Sequence, residues 1–206
     1  MKNFALKLSV MALLTAAGVH AGAASLYDNL GSAQEGSDPI LSFGPLANSF
    51  TTGADGGVSL AGITALLKND STSVVGDLRV SLHADSANGP GAELLSLGVL
   101  SSAGISADAF GRYSFTPSAP FALAANTTYW VEIEATSPNA VEWAWSGDLT
   151  APGVAGQSTY SSIYGVSPNG LAYQMAVTTA VPEPTSALLL ALGLGAVTML
   201  RRRQQG

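Results

Sequence analysis

LRVSLH, residues 78–83, alternates without a break. Leu78, Val80 and Leu82 point one way, and Arg79, Ser81 and His83 point the other, the period-2 pattern of a half-buried strand. On this reading His83 lies on the polar, solvated face. The same period returns in residues 129–135, where Tyr129, Val131 and Ile133 oppose Trp130, Glu132 and Glu134. Residues 141–146 place Val141, Trp143 and Trp145 on one face, as a core-facing strand does.

Working outward, short alternating segments separated by turn signals fill the chain from residue 25 to residue 180, and no long amphipathic helix pattern interrupts them. Residues 26–30 read as an edge strand and 34–39 as a polar loop. Residues 47–52 and 58–67 read as strands about the turn signal at 53–57, with Gly62 marking a bulge. Residues 84–91, which contain Asn88-Gly89-Pro90-Gly91, read as a loop. Further strands are expected at 93–100, 111–115, 121–123, 160–164 and 171–177. About ten short strands predict an all-β fold, a two-sheet β-sandwich of jelly-roll-like type. The exported domain is assigned to residues 24–180.

Both ends differ from this pattern. Lys2 and Lys7 precede the apolar run 8–17, and Ala21-Gly22-Ala23 forms a small-residue cleavage region, with Val19-His20-Ala21 as its competitor. Residues 1–23 therefore read as a signal peptide with a helical apolar segment, removed by signal peptidase. At the other end, residues 181–206 read VPEPTSALLLALGLGAVTMLRRRQQG. Two prolines hold Val181-Pro182-Glu183-Pro184 extended and out of any sheet or helix interior. An apolar run follows over 187–200, a hydrophobic helix once it enters hydrocarbon. Arg201, Arg202 and Arg203 stop translocation on the cytoplasmic side. At ~1.5 Å per residue the run reaches only ~21 Å of a ~30 Å hydrocarbon core, which suits transient inner-membrane insertion better than a permanent span.

The ordered tail, Pro182-Glu183-Pro184, apolar segment and arginine cluster, resembles the PEP-CTERM sorting tail of Gram-negative bacteria. The resemblance implies recognition by exosortase, a membrane-embedded transpeptidase-like enzyme, and delivery to the cell surface or extracellular matrix in an exopolysaccharide-producing context. A plain C-terminal anchor is the alternative. The domain resembles the choice-of-anchor R type in three places. These are Leu26-Tyr27-Asp28-Asn29-Leu30, Val80-Ser81-Leu82-His83-Ala84-Asp85 before the Gly-Pro-Gly segment, and the run from Phe121 to Ile133. That resemblance implies a β-rich exported domain and carries no catalytic residues.

Charge and composition narrow the function. Between residues 25 and 180, three basic residues (Lys68, Arg79, Arg112) stand against thirteen acidic ones, a formal charge of −10. Nucleic acid needs a basic surface, so no nucleic-acid partner is expected. The absence of cysteine removes thiol catalysis and Cys-based zinc sites. His83 is the domain's lone histidine, and no Gly-x-Ser-x-Gly elbow accompanies it, so a hydrolytic triad lacks its parts. Glu132 and Glu134, ~7 Å apart on one strand face, read as solvent-facing carboxylates, although a glycosidase needs only two. Asp70, Asp77, Asp85, Asn88 and Asp108 fit no calcium-loop spacing, leaving a calcium ion in the 84–91 loop as the open metal alternative. No cofactor and no enzymatic activity are expected.

Aromatic residues carry the remaining reading. Trp143 and Trp145 are expected in the core. Trp130 shares a face with Glu132 and Glu134 and is the expected glycan contact. Tyr160, Tyr164 and Tyr173 are read both ways, as core or as platforms for sugar faces. The sequence thus points to an exported, exosortase-sorted protein with a structural or adhesive role associated with exopolysaccharide. A carbohydrate-binding module with a specific glycan is the alternative, and a glycan hydrolase a weaker one.

Overall fold

The computed structural model describes residues 24–54 and 57–180. The expected signal helix and cleavage region (Ala21, Gly22, Ala23), the sorting motif (Pro182, Glu183, Pro184), the expected hydrophobic helix and the cluster Arg201, Arg202, Arg203 lie outside them. Among the described residues no helix is long and apolar enough to cross a membrane. They form fourteen strands and one 3-10 turn at Ser102–Gly104. The strands are β1 (Ala24–Asp28), β2 (Gly36–Pro39), β3 (Leu46–Thr51), β4 (Val58–Asn69), β5 (Asp77–Ser86), β6 (Gly89–Ser101) and β7 (Gly111–Phe115). They continue as β8 (Ala122–Leu123), β9 (Thr128–Ala135), β10 (Val141–Ser146), β11 (Ser158–Ser161), β12 (Gly165–Pro168), β13 (Ala172–Tyr173) and β14 (Met175–Ala180).

Two antiparallel sheets result. One runs β12-β11-β3-β9-β5-β6, and the other β1-β14-β4-β10-β13, with β2 on β10 and β7 and β8 on β4. The alternating aliphatics meet between them. Val80, Leu82, Val131, Ile133 and Phe50 from the first sheet share one buried cluster with Ile63, Leu67, Val141, Trp143, Met175 and Val177 from the second. Each side chain of this size contributes about 1.5–3 kcal/mol by leaving water. That burial holds the fold without any disulfide. The expected edge strand is present as β1, whose register with β14 begins at Ala24↔Thr179, so the described chain begins and ends side by side. The expected bulge is present too. β14 pairs Thr178 with Gly62 and Thr179 with Leu60, which leaves Ala61 extra.

Four local expectations need correction. Residues 34–39 are not all loop, because Gly36–Pro39 pairs with β10. The Trp145 ring lies where a Cβ on Gly36 would stand, so only glycine lets this strand dock. The 84–91 loop shrinks to Ala87 and Asn88 between β5 and β6. Gly89 takes a φ of 114°, Ser86 Oγ donates to its carbonyl at 2.7 Å, and Pro90 is tolerated because β6 is a sheet edge.

The strand expected over 171–177 is divided at Gln174 between two partners. Tyr173 pairs with Trp145 of β10 and Met175 with Ala65 of β4. Gln174 bridges the fork, its N–H donating to Ala144 O at 2.8 Å and its carbonyl accepting from Leu66 N at 3.0 Å. Finally, the strand at 160–164 ends at Ser161, and residues 162–164 turn into β12.

Candidate functional site

The polar face of β5 and β9 is covered. Ser81, Trp130, His83 and Glu132 are all buried, so the expectation of a solvated His83 and an exposed Trp130 is overturned. The cause is a long-range one. The β5–β6 hairpin leans back over its own sheet until Gly89 rests against the Tyr160 ring and Val166. Trp130, opposite His83 on β5 and Ser49 on β3, is enclosed there and donates its indole N–H to Asp85 Oδ1 at 2.7 Å.

Within this enclosure the polar groups satisfy one another. The Gly91 carbonyl can only accept, so the His83 Nδ1 atom, 3.0 Å away, carries a proton. Nε2 lies 3.0 Å from Ser81 Oγ and 3.5 Å from Glu132 Oε1. Burial raises the Glu132 carboxyl above its ordinary value, an effect that neighbouring His83 partly opposes. Further out, Arg79 bridges Glu93 at 2.7 Å and Glu134 at 2.9 Å. Ser81 and His83 stand at hydrogen-bond distance, but Ser81 has no exposed surface for a substrate to reach. The polar atoms of the cluster are engaged with one another.

Trp143 is buried as expected, with its ring stacked on Tyr173 at 4.7 Å between centroids, whereas Trp145 is only half-buried. No group of three or more potential metal-binding side chains occurs among the described residues. The calcium alternative at 84–91 loses its loop, and Asp85 is engaged by Trp130.

Accessible chemistry gathers elsewhere, where the β11–β12 hairpin meets the β2 and β13 edge. An open cleft of about 230 Å³ is lined by Tyr160, Tyr164, Leu171, Tyr173 and Asp38, together with Thr159, Ser161 and Ser167. Tyr164 is 87 % exposed and Leu171 45 % exposed. The turn that carries Tyr164 is held from below. Ser161 Oγ accepts from Ile163 N at 3.1 Å and from Tyr164 N at 3.4 Å, and Gly165 closes the turn with a φ of 71°. At the cleft floor Tyr173 donates its hydroxyl to Asp38 Oδ2 at 2.7 Å. Burial first, then the hydrogen bond and charge of Asp38, push the phenol far above its ordinary range, so it remains a donor.

The sequence singles out Tyr164 and Tyr173 as aromatic candidates, and the fold brings both to this cleft. Asp38 lies in the segment expected as a loop, and Leu171 at the expected start of a strand, so neither carries a site signal in the sequence. The signal for Tyr164 was available, since a ring directly before a turn glycine has little to pack against. Nothing periodic marks Asp38.

Residues 180–204 match the family model of the PEP-CTERM protein-sorting motif. The match takes in Pro182, Glu183, Pro184 and the three arginines and leaves the sandwich unassigned. It points to an exported protein that exosortase sorts to the cell surface in Gram-negative bacteria. No curated protein matches the chain.

Proposed function

We propose that this is a surface or extracellular-matrix protein with a structural or adhesive, non-catalytic role in an exopolysaccharide-rich layer, delivered there by exosortase after signal peptidase has removed residues 1–23. The observation that carries the reading is the sorting-motif match joined to a sandwich whose reactive groups are consumed internally. Arg79 is shared by two carboxylates, and His83 is closed off beneath a hairpin. The jelly-roll type of the sandwich and the choice-of-anchor R resemblance belong to the same proposal. The test is fractionation of the native host with intact-mass measurement. Protein lacking its leader and apolar tail, recovered from the exopolysaccharide fraction, supports the reading. Full-length protein confined to the inner membrane overturns it.

A glycan-binding module is the second reading, favoured by the tyrosine-lined cleft. The glycan-hydrolase reading gains no such support, because Glu132 is buried and Glu134 is engaged by Arg79.

A further inference from the structure

We infer that the cleft between the β11–β12 hairpin and the β2/β13 edge is a binding subsite for one neutral pyranose ring of a glycan. This deepens the adhesive reading, and rests on it only for the presence of glycan around the protein. A pyranose has an apolar C–H face and a rim of hydroxyls, and the cleft presents a counterpart to each. Tyr164 and Leu171 offer an apolar platform that is exposed to water at 87 % and 45 %. Asp38 offers the acceptor. Among the described residues its carboxylate takes one side-chain hydrogen bond, from Tyr173 to Oδ2, which aims the group and leaves Oδ1 for a ligand hydroxyl.

The turn that carries Tyr164 and the acceptor are set in advance, which lowers the ordering cost of binding. Ser161 holds the turn beneath Tyr164, and the stack of Tyr173 on the fully buried Trp143 fixes the floor. Size limits the occupant. A cleft of about 230 Å³ lies below the ~300–1,000 Å³ of drug-sized pockets, enough for one ring and not for an enclosed chain.

Charge selects the ring. No Lys or Arg lines the cleft, Asp38 does, and the surrounding domain carries a formal −10 between residues 25 and 180. Uronates and phosphorylated sugars are therefore repelled, and neutral sugars are not.

The experiment titrates the full chain, purified in a polyoxyethylene detergent that carries no sugar, with neutral hexasaccharides of glucose, mannose and N-acetylglucosamine, and with oligogalacturonate as the anionic comparator. Binding is read by calorimetry. At least one neutral hexasaccharide is expected to bind more tightly than oligogalacturonate. Tyr164→Ala is expected to weaken that binding about tenfold or more, while Tyr164→Phe, which keeps the platform, stays within about twofold. Asp38→Asn, which keeps the shape and loses the charge, is expected to weaken binding several-fold. Thermal melts matching wild type show that these variants are folded. No response to any neutral hexasaccharide overturns the inference, as does a response to oligogalacturonate alone or one indifferent to Tyr164→Ala. A concentration-dependent dimer abolished by Tyr164→Ala, without a glycan response, also overturns it and assigns the patch to a second copy. Sorting of the protein in its host is read independently by mass, so failure here is distinct from failure of the export reading.

Discussion

Trp130 Nε1 donates to Asp85 Oδ1 at 2.7 Å across two adjacent strands, and this bond closes the outer face of the six-stranded sheet. The indole is 3 % exposed, although its alternation partners are carboxylates. Trp130→Ala is therefore expected to destabilise the protein by about 3–5 kcal/mol, the scale of deleting a buried aromatic. Asp85→Ala, which strands the indole N–H, is expected to cost about 1–3 kcal/mol. Urea unfolding followed by fluorescence measures both. A Trp130→Ala loss within about 0.5 kcal/mol would restore the ring to the surface.

Glu132 sets a pH dependence. Burial raises its carboxyl in the folded state, so the native protein holds that proton more tightly than the unfolded chain does. Its contribution to stability must then fall as pH rises from the ordinary carboxylate value through the raised one. Glu132→Gln removes this slope. The variant is expected to lie within about 1 kcal/mol of wild type at pH 4 and to be the more stable of the two at pH 8, by denaturant midpoints. A variant less stable than wild type at pH 8 would refute this assignment.

Gly153 controls the docking of β1. Its φ is 74°, and a Cβ there would overlap the Leu26 carbonyl oxygen, while the neighbouring Pro152 carbonyl accepts from Asp28 N at 2.9 Å. Gly153→Ala is expected to cost roughly 2–3 kcal/mol. Limited proteolysis should then release residues near Leu26 sooner than in wild type. Equal proteolysis and stability would show that the turn relaxes freely.

The tail separates a sorting signal from an anchor. Glu183→Ala and Pro184→Ala leave the apolar run untouched, so a plain anchor tolerates both. The expected outcome in the native host is that wild type loses residues 187–206 while the variants keep them in the inner membrane. Trimming of both variants at wild-type levels, read by intact mass, would make the motif incidental.

Much of the fold is legible locally. The alternation of Leu78, Val80 and Leu82, and of Tyr129, Val131 and Ile133, assigned the inward faces correctly, because a strand's period is a property of its own backbone. Gly62 marked its bulge for the same reason. The pairing of residues 36–39 is not legible locally, because it depends on Trp145, more than a hundred residues away, lying over Gly36. The fork at Gln174 was likewise invisible, since each half of that run is good strand sequence. Only the arrival of β4 and β10 on either side divides it.

The candidate site follows the same division. By itself the sequence determined the all-β character, the inward faces of β5 and β9, the acidic balance, and the tail motif that the family model matches, all of which are written in neighbouring residues. Tertiary structure alone decided exposure. Alternation states which side chains share a face and is silent on what covers that face. Trp130, His83 and Glu132 share the polar side of their strands, yet a hairpin that doubles back over its own sheet takes them out of water. Tyr164 and Asp38, 126 residues apart, line one cleft only because two sheet edges meet.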